Sequence, residues 1–513
     1  MTAGKGGHHG PPPDNFALSE VPIAELQAQM TSGRQTARRL VDLYTRRIAD
    51  LDQRGPRLNH VLEVNPDART IADQLDTERR AGRVRGPLHG IPILIKDNIA
   101  TADRMETTAG SLALLGARPP RDSFLAQKLR EAGAVILGKT NLSEWANFRS
   151  SRSTSGWSGR GGQCHNAYAY DRQPSGSSSG SGVAAASSSC AAAIGTETSG
   201  SIISPANASG VVGVKPTVGL ISRSGIIPIS HTQDTAGPMA RTVADAAALL
   251  TALAGTDPAD EATAEADAHK SDYTRALDVD GLRGARIGIL RGTNVDPKIQ
   301  PLYDAAIALL RQRGAELVDP LTFAPQLNNG GDLLQWEFKT DLERYFAEWA
   351  PTSPIKTLDD LIAFNRREAA REMPYFQQET VEASARRGPL TSPAYLQLKE
   401  RLLRAARTDG IDAIMQSQRL DAIVTVTGGP ARPIDLVSGD SGGGTGVPGI
   451  TGVAATAGYP HITVPMGYVH GLPVGLSFGG RAWSEATLLR LAFAYEQASR
   501  ARRAPGFAAG PAL

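Results

Sequence analysis

The amino-acid sequence predicts an α/β fold, and three observations support this prediction. Amphipathic helices alternate with short apolar strands in both the N-terminal and the C-terminal parts of the chain. The chain of 513 residues is long enough to bury a large core. Its composition, 41% hydrophobic with 54 glycines and only 5% aromatic residues, indicates a folded protein whose core relies on small aliphatic side chains.

The N-terminal part shows this alternation clearly. Apolar spacing predicts a helix over 36–52 and a second helix over 67–82, with Asp67 near its N-cap. Residues 91–95, rich in isoleucine, then predict a short buried strand that ends on Lys96. A lysine at the end of such a strand is the first candidate functional residue.

The next helix and strand contain a motif of a different protein class. A helix over 122–132, with Asp122 at its start, is followed by a strand over 134–137. The residues that match the phosphate-loop pattern GxxxxGK(S/T) are Gly133, Gly138, Lys139 and Thr140. In a phosphate loop the four intervening residues form an exposed turn, whereas here they are AVIL, which is typical of the strand itself. The pattern therefore favours a strand over a nucleotide site.

The C-terminal part returns to the same alternation. It predicts three strands and a closing helix, over 421–427, 461–467, 473–478 and 484–500. Between the two parts, residues from about 290 to 410 form polar helical patterns and hold most of the larger aromatic side chains. We expect residues 1–16 to be a disordered tail and 17–513 to be a single domain, with 290–410 as a helical insertion that caps a pocket.

Charge and composition exclude several classes of protein. With 54 Lys plus Arg against 52 Asp plus Glu, the net charge of +2 gives no electrostatic reason to expect a nucleic-acid or anionic-membrane partner. No apolar run reaches the roughly 18 residues of a membrane helix. The first residues lack the apolar core of a secretory signal, so we expect a cytoplasmic protein, unless a periplasmic or secreted chain has lost its signal. Cys164 and Cys190 are too few to form a disulfide scaffold and lack metal-site spacing, and their pairing stays open.

Positions 175–182, in the segment PSGSSSGSG, contain only serine and glycine. By itself this composition is typical of a flexible linker. However, VAAASSSCAAAIG follows and predicts a small-residue helix from Val183, and GTETSGS then predicts a second Gly/Ser turn. Two such loops around a buried segment suit a site in which backbone N–H groups approach a substrate closely.

A serine nucleophile needs a base, and two side-chain types are available. His89, His165 and His231 lie in this half of the chain and make a Ser/His/acid triad conceivable, although no GxSxG elbow surrounds these serines. A lysine can serve instead when burial lowers its pKa enough for the neutral amine to exist. Lys96 is suitably placed, although a lysine at a strand end more often extends to solvent.

Several segments, in the same order, resemble the amidase signature hydrolases. They are GPLHGIPILIKDN, GAVILGKTNLSEWANF, PSGSSSGSG and GTETSGSIISPA, and the resemblance runs from about residue 17 to 505. Within the family, TNLSEWANF, GWSGRGGQ and KPTVGLISRSGIIPISHTQDTAGPMARTV are most similar to bacterial peptide amidases, which remove the C-terminal amide group of peptides. The resemblance implies the amidase signature fold, a large mixed twisted β-sheet covered by helices on both faces.

The resemblance places the family's Ser-Ser-Lys triad on Ser201, Ser177 and Lys96. Ser201 would be the nucleophile, and Ser177, which the family holds in a cis peptide, would pass its proton to neutral Lys96. The oxyanion hole would consist of the backbone N–H groups of Thr198, Ser199, Gly200 and Ser201. Water would then hydrolyse an acyl-enzyme on Ser201, and neither a metal nor an organic cofactor is implied.

The chain also departs from the family pattern. Ser199-Gly200 stands where many members have Gly-Gly, which is a mild change if Ser199 contributes its amide. Ile203 stands where many members have arginine, which favours a neutral or peptide-like substrate. Four more side chains are candidates either for hydrogen-bond support of the site or for ordinary loop caps, namely Asp97, Asn98, Gln233 and Asp234.

The sequence therefore predicts an amide hydrolase, with three substrate classes left open. The preferred hypothesis is a peptide amidase that converts C-terminal carboxamides to acids and releases ammonia. The alternatives are an amidase for other small aliphatic or aryl amides and a glutaminase subunit of a tRNA amidotransferase. Only the last needs partner chains, so we expect a peptide or small-molecule amide as the partner, without nucleic acid, membrane or an obligate partner chain.

Overall fold

The computed structural model of the protein describes residues 15–292, 295–440 and 445–512. Most of the predicted tail over 1–16 therefore lies outside the described residues. At the end of that stretch, Phe16 packs against Tyr44 with ring centroids 6.0 Å apart. From Phe16 onward the chain is thus in contact with the core.

The strands of the described residues form one large sheet and a short separate pair. The strands of the large sheet are β1 (Val61–Val64), β2 (Pro92–Lys96), β3 (Val135–Thr140), β6 (Ala192–Glu197), β7 (Val212–Lys215), β8 (Thr235–Ala240), β9 (Arg286–Leu290), β10 (Glu316–Leu321), β11 (Ala422–Val426), β12 (His461–Val469) and β13 (Leu472–Gly479). The separate pair is β4 (Trp157–Ser158) and β5 (Gly162–Gln163).

Helices precede, follow and connect these strands. The α-helices of the described residues are α1 (Ile23–Thr31), α2 (Ala37–Ala49), α3 (Ala68–Arg80), α4 (Phe124–Glu131), α5 (Ser179–Ala186), α6 (Ile203–Ala208), α7 (Val243–Leu253), α8 (Ala266–His269), α9 (Gln300–Gln312), α10 (Gly330–Trp349), α11 (Leu358–Arg367), α12 (Ala369–Glu372), α13 (Glu379–Ala385), α14 (Pro393–Ala406), α15 (Ala413–Ser417), α16 (Thr451–Ala457) and α17 (Glu485–Ser499).

The strand order of the large sheet, counted over the described residues, is β1-β3-β2-β6-β8-β7-β12-β13-β11-β9-β10. β2 runs parallel to β3 and to β6, whereas β6 pairs antiparallel with β8. The large mixed sheet that the resemblance implies is therefore confirmed. Because parallel strands end at the same edge of a sheet, the C-terminal ends of β2 and β6 lie side by side.

Local signals explain most of the N-terminal elements. α2 and α3 lie within the predicted helices, and β2 is the predicted buried strand. The start of α4 differs from the prediction, because Ser123 is its cap and accepts a hydrogen bond from Ala126 N at 3.2 Å. Asp122 instead pairs with Arg130 at 2.8 Å. Asp122 is thus used in an ion pair on the helix surface.

The phosphate-loop pattern folds as a strand, which confirms the interpretation favoured by the sequence. All residues of β3 are buried, and β3 pairs with β1 on one side and β2 on the other. Lys139 is also buried, and its Nζ donates to Ile99 O and to Thr107 Oγ1, at 2.7 Å in each case. Its amino group is therefore committed to the protein interior.

The predicted small-residue helix from Val183 is only partly right. α5 ends at Ala186, and the chain turns at Ser188, which has a positive φ of 53°. Ala192 and Ala193 then pair with β2 as the start of β6. Alanine favours helices in isolation, but here pairing with two neighbouring strands determines the conformation.

The helical insertion begins later than the predicted residue 290. β9, α9 and β10 precede it, and β10 lies at the edge of the large sheet. The purely helical segment runs from α10 to α14, and we refer to residues 330–406 as the helical segment. Its aromatic side chains pack on the segment after β3, where Phe338 and Phe346 contact Phe148 and Trp145.

Two further features concern the whole chain. Among the described helices, none combines the length and the apolar composition needed to span a bilayer. Cys164 and Cys190 are both buried and free, so they do not pair with each other. Burial raises the pKa of the Cys190 thiol to about 12, which makes it inert.

Candidate active site

Lys96 lies at the C-terminal end of β2, at the edge where β2 and β6 end together. Its side chain is fully buried. Its Nζ donates to Ser177 Oγ at 2.7 Å, to Thr196 Oγ1 at 2.9 Å and to Thr196 O at 3.3 Å. Burial lowers the pKa of Lys96 to about 7, against the opposing effect of the Asp234 and Glu197 charges. A neutral amine is therefore accessible near neutral pH.

Ser177 lies in the first Ser/Gly loop, directly before α5. The Gly176–Ser177 peptide bond is cis, as the resemblance implies. Ser177 is fully buried, and its carbonyl oxygen accepts a hydrogen bond from Ser143 N at 3.1 Å. A side chain at Gly176 would collide with Ser143 Oγ, so only glycine fits at this position.

Ser178 connects the first loop to β6 and to the second loop. Its N–H donates to Ser201 O at 3.1 Å. Its hydroxyl donates to Thr196 O at 2.9 Å and accepts from Thr196 N at 3.1 Å. A methyl group on Gly195 would lie 2.8 Å from Ser178 Oγ, so this close approach requires a glycine in β6. The two loops are thereby held next to each other.

The second loop, from Thr198 to Ser201, follows β6 directly. Gly200 has a φ of +80°, a conformation that side chains disfavour. Within the described ranges, the four N–H groups of this loop donate to no other group. The loop ends where the Glu197 carboxylate accepts hydrogen bonds from Ile202 N at 2.7 Å and Ile203 N at 3.0 Å. Four uncommitted donors beside a serine can stabilise a developing oxyanion.

The two predicted serines lie in adjoining segments with different exposure. Ser201 is 8% exposed, whereas Ser177 and Lys96 are inaccessible. The hydrogen bonds of the described residues include the link from Lys96 to Ser177 but none between the two serine hydroxyls. Ser201 is therefore the more accessible of the two serines, and Lys96 has no exposed surface.

Three of the four predicted supporting side chains make hydrogen bonds at the site. Asp234 accepts from Thr198 Oγ1 at 2.5 Å, and Gln233 Nε2 donates to Thr198 O at 3.1 Å. Asn98 Nδ2 donates to Thr196 Oγ1 at 3.0 Å. Asp97 lies further out and accepts from Thr108 and from Arg160.

Three residues that hold the predicted site residues or their neighbours in place were not predicted from the sequence. Thr196 contacts Lys96, Ser143 holds the Ser177 carbonyl, and Glu197 holds the residues after Ser201. Thr196 and Glu197 stand in GTETSG, directly before the second loop, and this adjacency is the only signal that could have identified them. Ser143 lies far away in sequence, and its only signal is its place in the segment TNLSEWANF.

The three candidate histidines hydrogen-bond elsewhere. His89 Nε2 contacts Leu75 O at 2.9 Å, and His165 Nδ1 contacts Tyr170 O at 2.6 Å. His231 Nδ1 contacts Asp341 at 2.9 Å. The structure thus offers no Ser/His pair at either Ser177 or Ser201 among the described residues.

His231, Glu337 and Asp341 bring potential metal ligands within 4.8 Å of one another. Protein donors already engage these carboxylates. Glu337 accepts from Thr232 Oγ1 at 2.5 Å and from Tyr395 at 2.7 Å, and Asp341 accepts from the His231 backbone at 2.8 Å. These three residues therefore serve to attach the helical segment to the loop before β8.

Two cavities lie next to the site. A cleft of about 590 Å³ is lined by residues of the loop before β8 and of α10, and Asp234 belongs to its wall. A much smaller cavity of about 10 Å³ is lined by Asn98, Thr196, Thr198 and, again, Asp234. Asp234 thus connects the surroundings of Lys96 with the cleft.

Comparison with known proteins gives a consistent result. The sequence model of the family described as Amidase matches residues 39–489. The structure is similar to the native peptide amidase from Stenotrophomonas maltophilia, with a TM-score of 0.90 and 51% identity over 96% of this chain and 99% of that one. The sequence is 41% identical over 511 residues to a probable amidase of Arabidopsis thaliana, covering 96% of this chain and 93% of that protein. It is 34% identical over 498 residues to a glutamyl-tRNA(Gln) amidotransferase chain of Synechococcus, covering 93% of this chain and 96% of that one.

Proposed function

The chain belongs to the Amidase family, whose members hydrolyse amide C–N bonds, and from this premise we propose that it is a peptide amidase with Lys96, Ser177 and Ser201 as its catalytic triad. The observation that carries the proposal is the 2.7 Å hydrogen bond from buried Lys96 to Ser177, in a loop tied to Ser201. This hydrogen bond joins Lys96, a base of lowered pKa, to the Ser177 hydroxyl. The Ser177 loop in turn lies next to the loop that contains Ser201, the proposed nucleophile.

In the proposed reaction, neutral Lys96 accepts the proton of Ser177, and Ser177 accepts the proton of Ser201. Ser201 Oγ forms a bond to the amide carbonyl carbon, and the carbonyl oxygen becomes an anion beside the N–H groups of the second loop. One such donor is typically worth about 2.7–4 kcal/mol. The relay then runs in reverse and protonates the departing nitrogen, so ammonia leaves an acyl-enzyme that water hydrolyses.

Two observations support a peptide carboxamide as the substrate. The similar structure from Stenotrophomonas maltophilia is a peptide amidase by name and shares 51% of the sequence. Ile203, which follows the second loop, is apolar and buried, so this position offers no cation for a free acid group. A neutral amide flanked by peptide is consistent with both.

A glutaminase chain of an amidotransferase complex is the second candidate, because relatives named glutamyl-tRNA(Gln) amidotransferase align over almost the whole chain. Such a protein would act on glutamine and would need its partner chains. An amidase for simple aliphatic or aryl amides is the third candidate. Isolated chain that releases ammonia from peptide amides but not from glutamine supports the first proposal over the second.

The test is a mass-spectrometric screen of peptide amides, in which the conversion of a terminal amide to an acid is scored together with ammonia release. Free glutamine and a simple aryl amide serve as competing substrates. Ser201→Ala is the inactive variant. Ser209→Ala is its matched control, because Ser209 is a buried serine at the other end of α6 whose Oγ has no partner among the described residues. Conversion of the aryl amide alone would refute the peptide amidase.

A further inference from the structure

The small cavity beside Thr196, the residue that Lys96 contacts, is the starting point. Its volume of about 10 Å³ is close to the minimum of about 10–15 Å³ that one water molecule needs. Its wall combines apolar side chains, such as Ile227 and Ile229, with the polar side chains of Asn98, Thr196 and Asp234. A cavity of this size, with a few polar groups in a largely apolar wall, suits a single small hydrogen-bonding molecule.

Asn98 provides an acceptor at this cavity. The residue is 3% exposed, and its Nδ2 donates to Thr196 Oγ1 at 3.0 Å and to Ile227 O at 3.5 Å. Its Oδ1 is buried and has no hydrogen-bond partner among the residues that the structure describes. An unpaired buried amide oxygen is costly, so a donor from within the cavity would stabilise it.

Thr196 provides a donor at the same place. Its Oγ1 accepts hydrogen bonds from Lys96 Nζ and from Asn98 Nδ2. A hydroxyl that accepts twice still carries one hydrogen to donate. None of the described residues accepts this hydrogen, so the Thr196 hydroxyl can donate it to a molecule in the cavity.

Asp234 connects the cavity to solvent. Among the described residues, its Oδ1 accepts only from Thr198 Oγ1, and its Oδ2 accepts from Ile229 N and Ser230 N, both at 2.8 Å. One lone pair of Oδ1 is therefore free for a further donor. Asp234 also belongs to the wall of the 590 Å³ cleft. Burial raises the pKa of Asp234 to about 6, which brings it close to that of Lys96.

We propose that one water molecule binds between Asn98 Oδ1, Thr196 Oγ1 and Asp234, and that this water forms the route by which Lys96 exchanges protons with the cleft. The role of the route rests on the proposed function, in which Lys96 must be neutral before each reaction. Lys96 passes a proton to Thr196 Oγ1 while Thr196 passes its own hydroxyl proton to the water, and the water passes one to the Asp234 carboxylate. Lys96 becomes neutral, Asp234 becomes the carboxylic acid, and Thr196 and the water are unchanged.

Several other ionisable groups surround this route and set its electrostatic environment. Lys96 interacts electrostatically with Asp234, and Glu197 and Arg223 share the wall of the small cavity with it. The other charged and titratable side chains in the wall of the cleft are Arg121, His231, Asp260, Glu261, Asp341, Arg344, Tyr345 and Glu348. Arg223 is already paired with Asp260, and Asp341 is hydrogen-bonded to His231. Asp234 is the carboxylate among them that lines both cavities.

A high-resolution crystal structure of the full chain tests the water site without reference to activity. We expect an ordered solvent peak within hydrogen-bond distance of Asn98 Oδ1 and Thr196 Oγ1. A well-ordered cavity without such a peak, or an Asn98 amide turned so that Oδ1 pairs with the protein, would overturn the site.

A pH-jump experiment tests the route. Enzyme held at about pH 5, where Lys96 is protonated, is mixed with a peptide amide at about pH 8, and product formation is followed from the first milliseconds. We expect Asp234→Asn to approach its steady rate at least about tenfold more slowly than the wild type. Glu348→Gln removes an exposed carboxylate that lines only the cleft, so it serves as the control and should match the wild type. An Asp234→Asn variant that reaches its steady rate as fast as the control would overturn the route, whereas a wild type without activity on amides would overturn the proposed function instead.

Discussion

The proposed triad makes the rate of amide hydrolysis depend on pH through Lys96. Only the neutral amine can accept the proton of Ser177, and burial disfavours the ammonium form, so the pKa falls from 10.5 to about 7. We expect kcat/KM to rise with pH below about 7, roughly tenfold per pH unit, and to level off above it.

The size of this effect follows from the pKa. At pH 7, a lysine of pKa 10.5 is neutral in only about one molecule in 3,000, whereas a pKa of about 7 makes about half of the molecules neutral. Burial therefore increases the competent fraction by about 1,500-fold, which corresponds to about 4 kcal/mol. Lys96→Arg keeps a cation that does not lose its proton, so we expect it to lower kcat/KM by about 10²–10⁴-fold at every pH.

The assay is a series of initial rates of ammonia release from one peptide amide between about pH 5 and pH 9. Asp234→Asn is an internal check, because the Asp234 charge raises the pKa of Lys96. Its removal should move the midpoint to lower pH. A profile that is flat or falls through pH 7, or substantial activity of Lys96→Arg, would refute the reasoning.

Three other predictions concern single substitutions. Ser201→Ala should remove most turnover while circular dichroism and the melting temperature stay near those of the wild type, and near-wild-type turnover would contradict the nucleophile. Gly195→Ala places a methyl group 2.8 Å from Ser178 Oγ and from Met239 Sδ, so we expect about 1–3 kcal/mol of destabilisation in denaturant titration, and unchanged stability would show that the site tolerates the extra carbon. Single replacement of His89, His165 or His231 should leave most of the activity in the peptide-amide assay. A large loss of activity for any of these variants would favour a histidine triad instead.

The sequence predicts local elements of this fold better than their arrangement. α2, α3 and β2 follow from apolar spacing within a few neighbouring residues. β6 does not, because Ala192 and Ala193 favour a helix in isolation and become a strand only between β2 and β8. The strand order likewise depends on contacts between segments about a hundred residues apart, which no local pattern encodes.

The same distinction applies to the site. Lys96, Ser177 and Ser201 are identified by motif resemblance, since serine and lysine are too common to be informative by themselves. The contact of Thr196 with Lys96 depends on which side chains meet where β2 and β6 end, and only the structure shows it. The unpaired Asn98 Oδ1 is likewise a property of three-dimensional packing.

The way in which the helical segment is attached has a consequence for engineering. All proposed catalytic residues lie between Lys96 and Ser201, and the helical segment contacts this region at several separate places. Glu372 accepts a hydrogen bond from Leu112 N at 2.6 Å, Glu379 accepts one from Ser150 Oγ at 2.7 Å, and Phe376 packs on Trp157. Glu337 and Asp341 bind the loop before β8, and Phe338 and Phe346 pack on the residues after β3. A chimaera that takes this segment from another family member should therefore keep the hydrolytic chemistry and change the walls of the cleft, provided that all of these carboxylates and rings are carried over.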